Sequence, residues 1–264
     1  MIRIFPRQTK WTPDDELTFI GLPPLFRPPE QPVKISVTFT WDIETGERLK
    51  SEWSSYYKDV QIGGPAFGDP GETFEPGMFV KRGVTITSRG CSKACPWCFV
   101  PKREGKIREL EIKPGHILQD NNLLACSREH IENVFAMLRE QKKGISFNGG
   151  MDTMYMQKWH RKLFDSIKIK ELWFACDSEQ GIKPLERTAE ILEGISINKR
   201  RCYALIGFGN ETLSQAAIRL EKIYSLGFLP FAQLYKSVQQ KNFSKEWKAL
   251  GRKWSRPAEI GRAS

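Results

Sequence analysis

Cys91-Ser92-Lys93-Ala94-Cys95-Pro96-Trp97-Cys98 is the stretch on which the reading of the whole chain turns. Its three cysteines stand at spacings of four and three residues, close enough to gather three thiolates around one centre without help from distant parts of the chain. A β-branched run, Val84-Thr85-Ile86-Thr87-Ser88, leads into the loop and reads as a strand, and a basic segment from Lys102 to Arg108 leads out of it. Thiolates are soft ligands, so the spacing points to zinc or to an iron–sulfur cluster. A zinc site needs a fourth ligand from elsewhere, such as Cys126 or His116. A [4Fe–4S] cluster held by three thiolates instead keeps one iron free to bind another molecule.

Downstream of the loop, strand and helix signals alternate. Strands are expected over His116–Gln119, Ile145–Asn148, Leu172–Cys176, Tyr203–Phe208 and Leu229–Leu234. Between them, Ile131, Val134, Phe135 and Leu138 follow helical spacing, with Ser127 placed as N-cap. Trp159, Leu163, Phe164 and Ile167 make a second apolar face. Leu185, Ala189 and Leu192 make a third, ended by Gly194. Leu213, Ala217, Leu220 and Tyr224 make a fourth, ended by Gly227. With the strand before the cysteines this gives six βα units, hence an α/β fold with a parallel sheet and right-handed crossovers. In such folds the site lies at the carboxyl ends of the strands.

The Cys-x3-Cys-x2-Cys loop, with Trp97 just before the last cysteine, resembles the cluster loop of the radical S-adenosylmethionine (SAM) enzymes, and the six units resemble that family's partial (β/α)6 TIM-like barrel. The resemblance implies that Cys91, Cys95 and Cys98 hold a [4Fe–4S] cluster, that SAM chelates the remaining iron, and that an external one-electron reductant of flavodoxin or ferredoxin type feeds the cluster. It implies hydrogen abstraction from a substrate by a 5′-deoxyadenosyl radical, the cofactor carrying the chemistry and the protein the positioning. Trp97 takes the place beside the adenine. Two strand ends compete for the SAM amino group. Asp120-Asn121-Asn122 resembles the strand-end motif of the cobalamin-type and methylthiotransferase branch. Asn148-Gly149-Gly150-Met151-Asp152 resembles a Gly-Gly-Glu motif with Met151 at the glutamate position. Strand counting favours the first, with Asn148, Gly149, Gly150 and Asp152 lining the next sector. Asp177 and Ser178 are expected at the ribose hydroxyls, or else as a helix N-cap. Gly207 opens the glycine-rich run near the adenine, or else the turn into the next helix. No side chain is singled out as a catalytic acid or base. Cys126, Cys176 and Cys202 read as buried thiols, with a cavity-facing role for Cys176 as the alternative.

Upstream, Ile35, Val37 and Phe39 alternate with polar residues as a strand; Leu49, Trp53, Tyr56 and Tyr57 fall at helical spacing, and Val60-Gln61-Ile62 reads as a second strand. This parallel βαβ unit resembles the small Rossmann-like lobe that precedes the barrel in the cobalamin-dependent branch. The cobalt-ligating Asp-x-His-x-x-Gly motif is missing, all three histidines (His116, His130, His160) coming later, so the lobe is expected to serve as structural support. Residues 1–32 hold seven prolines and no periodic segment. They are expected to wrap the surface as extended chain pinned by Phe5, Trp11, Phe19, Leu25 and Phe26, or to form a lid. The expected organisation is thus a segment and lobe over 1–80, a barrel over 81–235 and a basic tail over 236–264.

Composition bounds what these units do. The chain has 264 residues, 40% hydrophobic and 27% charged, within the ordinary range for globular domains. No apolar run reaches membrane-spanning length, and the first residues lack a secretory pattern, so a cytoplasmic protein with reduced thiols and no membrane partner is expected. The net charge of +10 is uneven: residues 1–80 carry −4 and residues 81–264 carry +14. A basic cysteine-bearing part suits an anionic substrate such as RNA, or is a solvated surface. In the tail, eight Lys/Arg are interleaved with Phe243, Trp247, Leu250 and Trp254. They either grip nucleic acid or form an amphipathic helix docked on the barrel. The rival class is a non-catalytic, zinc- or cluster-bearing nucleic-acid-binding module.

Overall fold

A computed structural model describes residues 1–236 and 242–255. The first unit is a parallel sheet of β1 (Ile2–Phe5), β2 (Thr18–Ile20), β3 (Val33–Ser36) and, after helix α1 (Ile43–Ser54), β4 (Val60–Gly63), in the order β2-β1-β3-β4. The βαβ unit expected from the alternation is therefore present, β3 and β4 pairing in parallel. The N-terminal segment is a correction. It supplies two further strands, and β1 is an interior strand with Ile2 and Ile4 fully buried. Strands of four and three residues hold too few alternating positions to stand out beside so many prolines. Leu25 and Phe26, expected to pin the segment, are 81% and 89% exposed. Trp53 anchors this unit's core, packing on Phe19 and Tyr57 and donating its indole N–H to the Gly21 carbonyl at 3.0 Å.

The second sheet has six strands, all parallel, in chain order: β5 (Val84–Thr85), β8 (Ile117–Leu118), β9 (Ile145–Asp152), β10 (Ile169–Ala175), β11 (Arg200–Ile206) and β12 (Leu229–Leu234). β5 and β12 are its edges. The expected strand over 84–88 is divided. Val84 and Thr85 join the sheet, whereas β6 (Ser88–Arg89) turns out of it and pairs antiparallel with β7 (Arg108–Glu109). The cysteine loop and the short helix α2 (Val100–Glu104) form the head of that excursion.

The helices α3 (Arg128–Arg139), α4 (Lys158–Asp165), α5 (Ile182–Ile191), α6 (Leu213–Ser225) and α7 (Lys245–Ser255) follow successive strands. Their buried side chains join those of the strands in the larger core. Period-two alternation buries Leu172 and Phe174 of β10 in the larger core. Ser127 caps α3, its hydroxyl accepting from the His130 N–H at 3.2 Å. Thr212 and Gln215 close a capping box on α6. That helix ends with Gly227 at φ +79°; the Gly227 and Phe228 N–H groups donate to Tyr224 and Ile223, a Schellman turn. The apolar face of α6 is rotated from the expected one: Ala216, Arg219, Leu220 and Ile223 are the buried positions. Of the basic tail, Trp247, Leu250 and Trp254 of α7 pack on the larger core, as the docked amphipathic helix requires. Residues 237–241 and 256–264 of the tail lie outside the described residues.

Candidate functional site

The cysteine loop is drawn together at its base. The Cys91 N–H donates to the Gly105 carbonyl at 3.0 Å, and the Gly90 N–H to Glu104 Oε2 at 3.2 Å. Glu104 also accepts from Arg103 and from the Asn121 amide, with Arg89 nearby. Burial by itself would raise the Glu104 carboxyl, but these cations and donors hold it below the usual carboxylate range. A buried glutamate within a run of charged residues gives no sign in sequence that it faces inward, so this anchor goes unnoticed there.

The three loop thiols are half-buried and free. Burial raises the pKa values of Cys95 and Cys98, Lys93 and Arg103 oppose the rise, and neighbouring thiolates with Asp177 add to it. The sulfurs therefore sense one another's charge. Even so, among the described residues no group of three His, Cys, Asp or Glu side chains converges closely enough to hold a metal ion. As a donor set, three thiolates beside a lysine suit an iron–sulfur cluster. Cys126 and His116 do not complete a zinc set either. His116 packs beneath Gly83 at the amino end of β8, and burial pushes the Cys126 thiol up to about 12.

From this base the loop reaches over the carboxyl ends of β9, β10 and β11. Lys93 Nζ pairs with Asp152 at 2.8 Å, at the end of β9. Trp97 packs edge-on against Phe208, centroids 5.2 Å apart, just past β11. Asp177, just past β10, accepts from the Leu205 N–H at 2.8 Å. Burial raises the Asp177 carboxyl, against the Leu205 donor, Arg219 and the nearby Trp97 indole. Trp97, Asp152, Asp177 and Phe208 are thus brought together. Asn122 Oδ1 accepts from the Asp152 N–H at 3.2 Å, leaving Asn122 Nδ2 buried without a partner. Asn148 Oδ1 is likewise buried and unpartnered. Ser178 takes the N-cap position of the short 3-10 turn Glu179–Gly181, with no capping hydrogen bond from its side chain.

Other expected contacts serve the frame. The buried Asp120 carboxylate accepts from the Thr87 N–H, the Thr87 hydroxyl and the Ser88 N–H, which turns the chain from β5 into the loop. Asn121 is engaged with Glu104. Gly149 lets β9 pass the Asp120 carbonyl, and Gly150 faces the Tyr203 ring. Met151 is buried in the larger core rather than turned to the strand ends. A side chain at Gly207 would strike the Phe243 ring, so that glycine makes room for the C-terminal segment. Cys176 is buried, and burial pushes its thiol up to about 12. The sequence reading also misses Arg219, 2% exposed, which pairs with Glu211 and donates to the Cys176 carbonyl at 2.8 Å and the Leu205 carbonyl at 2.7 Å. Among the described residues no helix is long and apolar enough to cross a membrane.

A scan against models of known protein families found no match to this chain, and a search of curated proteins found none either.

Proposed function

We propose that the protein is a radical SAM enzyme, its six βα units forming a partial (β/α)6 barrel over 81–235, behind a small lobe over 1–80 and ahead of a basic tail over 236–264. The observation that carries this reading is the position of the three-cysteine loop. It leaves the first of six sequential parallel strands and folds over the carboxyl ends of β9–β11, where an α/β sheet binds ligands. When bound, the cluster supplies the electron that splits SAM into methionine and the radical that removes a hydrogen atom from the substrate.

The chain's own residues position and exclude. Cys91, Cys95 and Cys98 would hold the cluster, with Glu104 fixing the base of their loop. Trp97 and Phe208 offer apolar surface for the adenine, and Asp177 an acceptor for ribose hydroxyls. The unpartnered Asn122 Nδ2 and Asn148 Oδ1 offer one donor and one acceptor to a polar ligand. Lys93 neutralises Asp152 beside the cluster loop. The positive charge of residues 81–264 favours an anionic substrate such as RNA. The rival, a zinc-bearing binding module, needs a fourth protein ligand, and His116, packed under Gly83 at the amino end of β8, lies at the opposite end of the sheet from the loop.

The test is anaerobic reconstitution with iron and sulfide, then reduction in the presence of SAM. Bound iron with acid-labile sulfide, and 5′-deoxyadenosine that disappears in Cys95→Ala, is the expected result. One zinc and no sulfide would favour the binding module, and failure to bind either would sink both.

A further inference from the structure

We infer that the small N-terminal lobe is a second ligand-binding unit, and that the cavity between β1 and β3 takes a flat heteroaromatic ring carrying an anionic group, of the size and chemistry of a mononucleotide. In the order β2-β1-β3-β4 the chain departs from the β1/β3 pair in opposite directions. That divergence is a topological switch point, where open parallel sheets leave a crevice beyond the strands' carboxyl ends. A cavity of about 160 Å³ lies there. It is bounded by Pro6 and Arg7 just after β1 and by Ser36, Thr38 and Phe39 at the end of β3, and is closed by Phe79, Val80 and Gln119 from the side of the larger sheet.

Its lining defines the ligand. Phe5, Trp11, Phe39 and Phe79 give aromatic walls, and a cavity of about 150 Å³ holds one benzene ring, so a single ring fits inside. Thr9, Thr12 and Thr38 also line the cavity, the Thr9 and Thr12 hydroxyls being bonded to each other in the turn that carries Trp11. Asp42 is only 4% exposed and is held by Arg7, whose Nε–H donates to Oδ2 at 2.6 Å while a terminal N–H donates to Oδ1. Two of the five guanidinium N–H groups are engaged, so three remain for a ligand. Lys10 and Lys81 stand 4.4 and 5.2 Å from the Trp11 ring centroid. Arg7 is paired with Asp42, so these two lysines beside a lining residue supply the positive charge that favours an anionic group. No histidine lines the cavity, so a cobalt-ligating role has no ligand here. None of the cysteine loop lines it either, and the inference stands apart from the radical SAM reading.

The test is binding of the four common ribonucleoside 5′-monophosphates to the full chain without metal or SAM, by saturation-transfer NMR and titration calorimetry, with ribose 5-phosphate as the probe lacking a ring. At least one nucleotide should bind at millimolar concentration or below, with saturation strongest at its ring protons. Trp11→Ala should weaken it about tenfold, a difference of about 1.4 kcal/mol. Arg7→Gln would strand the buried Asp42 and endanger folding. The blocking variant is therefore Thr38→Trp, at an exposed position on the mouth, which should abolish binding while leaving the melting temperature unchanged. Cys95→Ala should bind like the parent, so loss of the cluster would leave this result intact. The inference is overturned by no binding at millimolar nucleotide, by equal binding of ribose 5-phosphate, or by binding indifferent to both Trp11→Ala and Thr38→Trp.

Discussion

At Gly149 the backbone of β9 passes so close to β8 that an added methyl group would lie 1.6 Å from the Asp120 carbonyl oxygen. That contact cannot be relieved by turning a side chain, because the obstacle is backbone. Gly149→Ala should therefore destabilise the fold by about 3 kcal/mol through forced strand displacement, read as a fall in melting temperature. Unchanged stability would mean that β8 is free to move aside. Arg219 presents the opposite case, a large cation placed inside the core. Removing it leaves Glu211 and two carbonyl oxygens without their donor. Arg219→Leu should cost about 3–5 kcal/mol, and adding Glu211→Gln should restore part of that loss, since the cost of breaking a buried pair falls on the charge left behind. Helical spacing placed Leu213 and Ala217 on the buried face of α6. The rotation toward Ala216 and Arg219 escapes sequence because an arginine in an apolar stripe scores as solvent-facing until its partners are known.

The cysteine loop behaves as an element in its own right, held by a short antiparallel ladder and by Glu104. The folded-state pKa of Glu104 lies below its unfolded value, so its contribution is complete above the unfolded carboxylate range and is lost as pH falls through the folded value. Glu104→Gln should cost about 1–3 kcal/mol at neutral pH and flatten the acid limb of the stability profile. A profile identical to the parent's would show that the loop's base is held otherwise. Thiol reactivity checks the same element. Cys126 and Cys176, each pushed up to about 12, and the fully buried Cys202 stay protonated at mildly alkaline pH. Alkylation of the folded, metal-free chain should therefore mark Cys91, Cys95 and Cys98 first, and iron loading should protect those three. Labelling of Cys176 as fast as the loop would contradict its burial.

On the scale of the whole molecule, two hydrophobic cores lie on two separate parallel sheets. Arg3 links the small sheet to the connecting chain, donating to the Gly77 and Met78 carbonyls at 2.9 and 3.2 Å and pairing with Asp15. Ile35→Ala in the smaller core should cost about 2–5 kcal/mol of that unit's stability. Hydrogen exchange should then quicken in β1 and β3 while protection in β9–β11 is retained, because local unfolding follows local packing. Equal loss of protection in both sheets would mean that the two cores unfold as one.

Local rules sufficed wherever the needed information lies within a few residues. The cysteine spacing, the alternation through Ile35 and Val37, the Ser127 cap and the Gly227 turn all depend on near neighbours, and the sequence alone determined that an α/β chain carries three clustered thiols just after its first strand in the larger sheet. Tertiary structure decided what depends on distant partners. It made β1 an interior strand, since four residues become a strand only when β2 and β3 lie on either side. It turned Asp120 and Asn121 inward to hold the frame, brought Lys93 and Trp97 to strand ends more than fifty residues away, and opened a cavity between β1 and β3 that no run of residues announces. In each case the interaction joins segments far apart in the chain, and folding alone sets those distances.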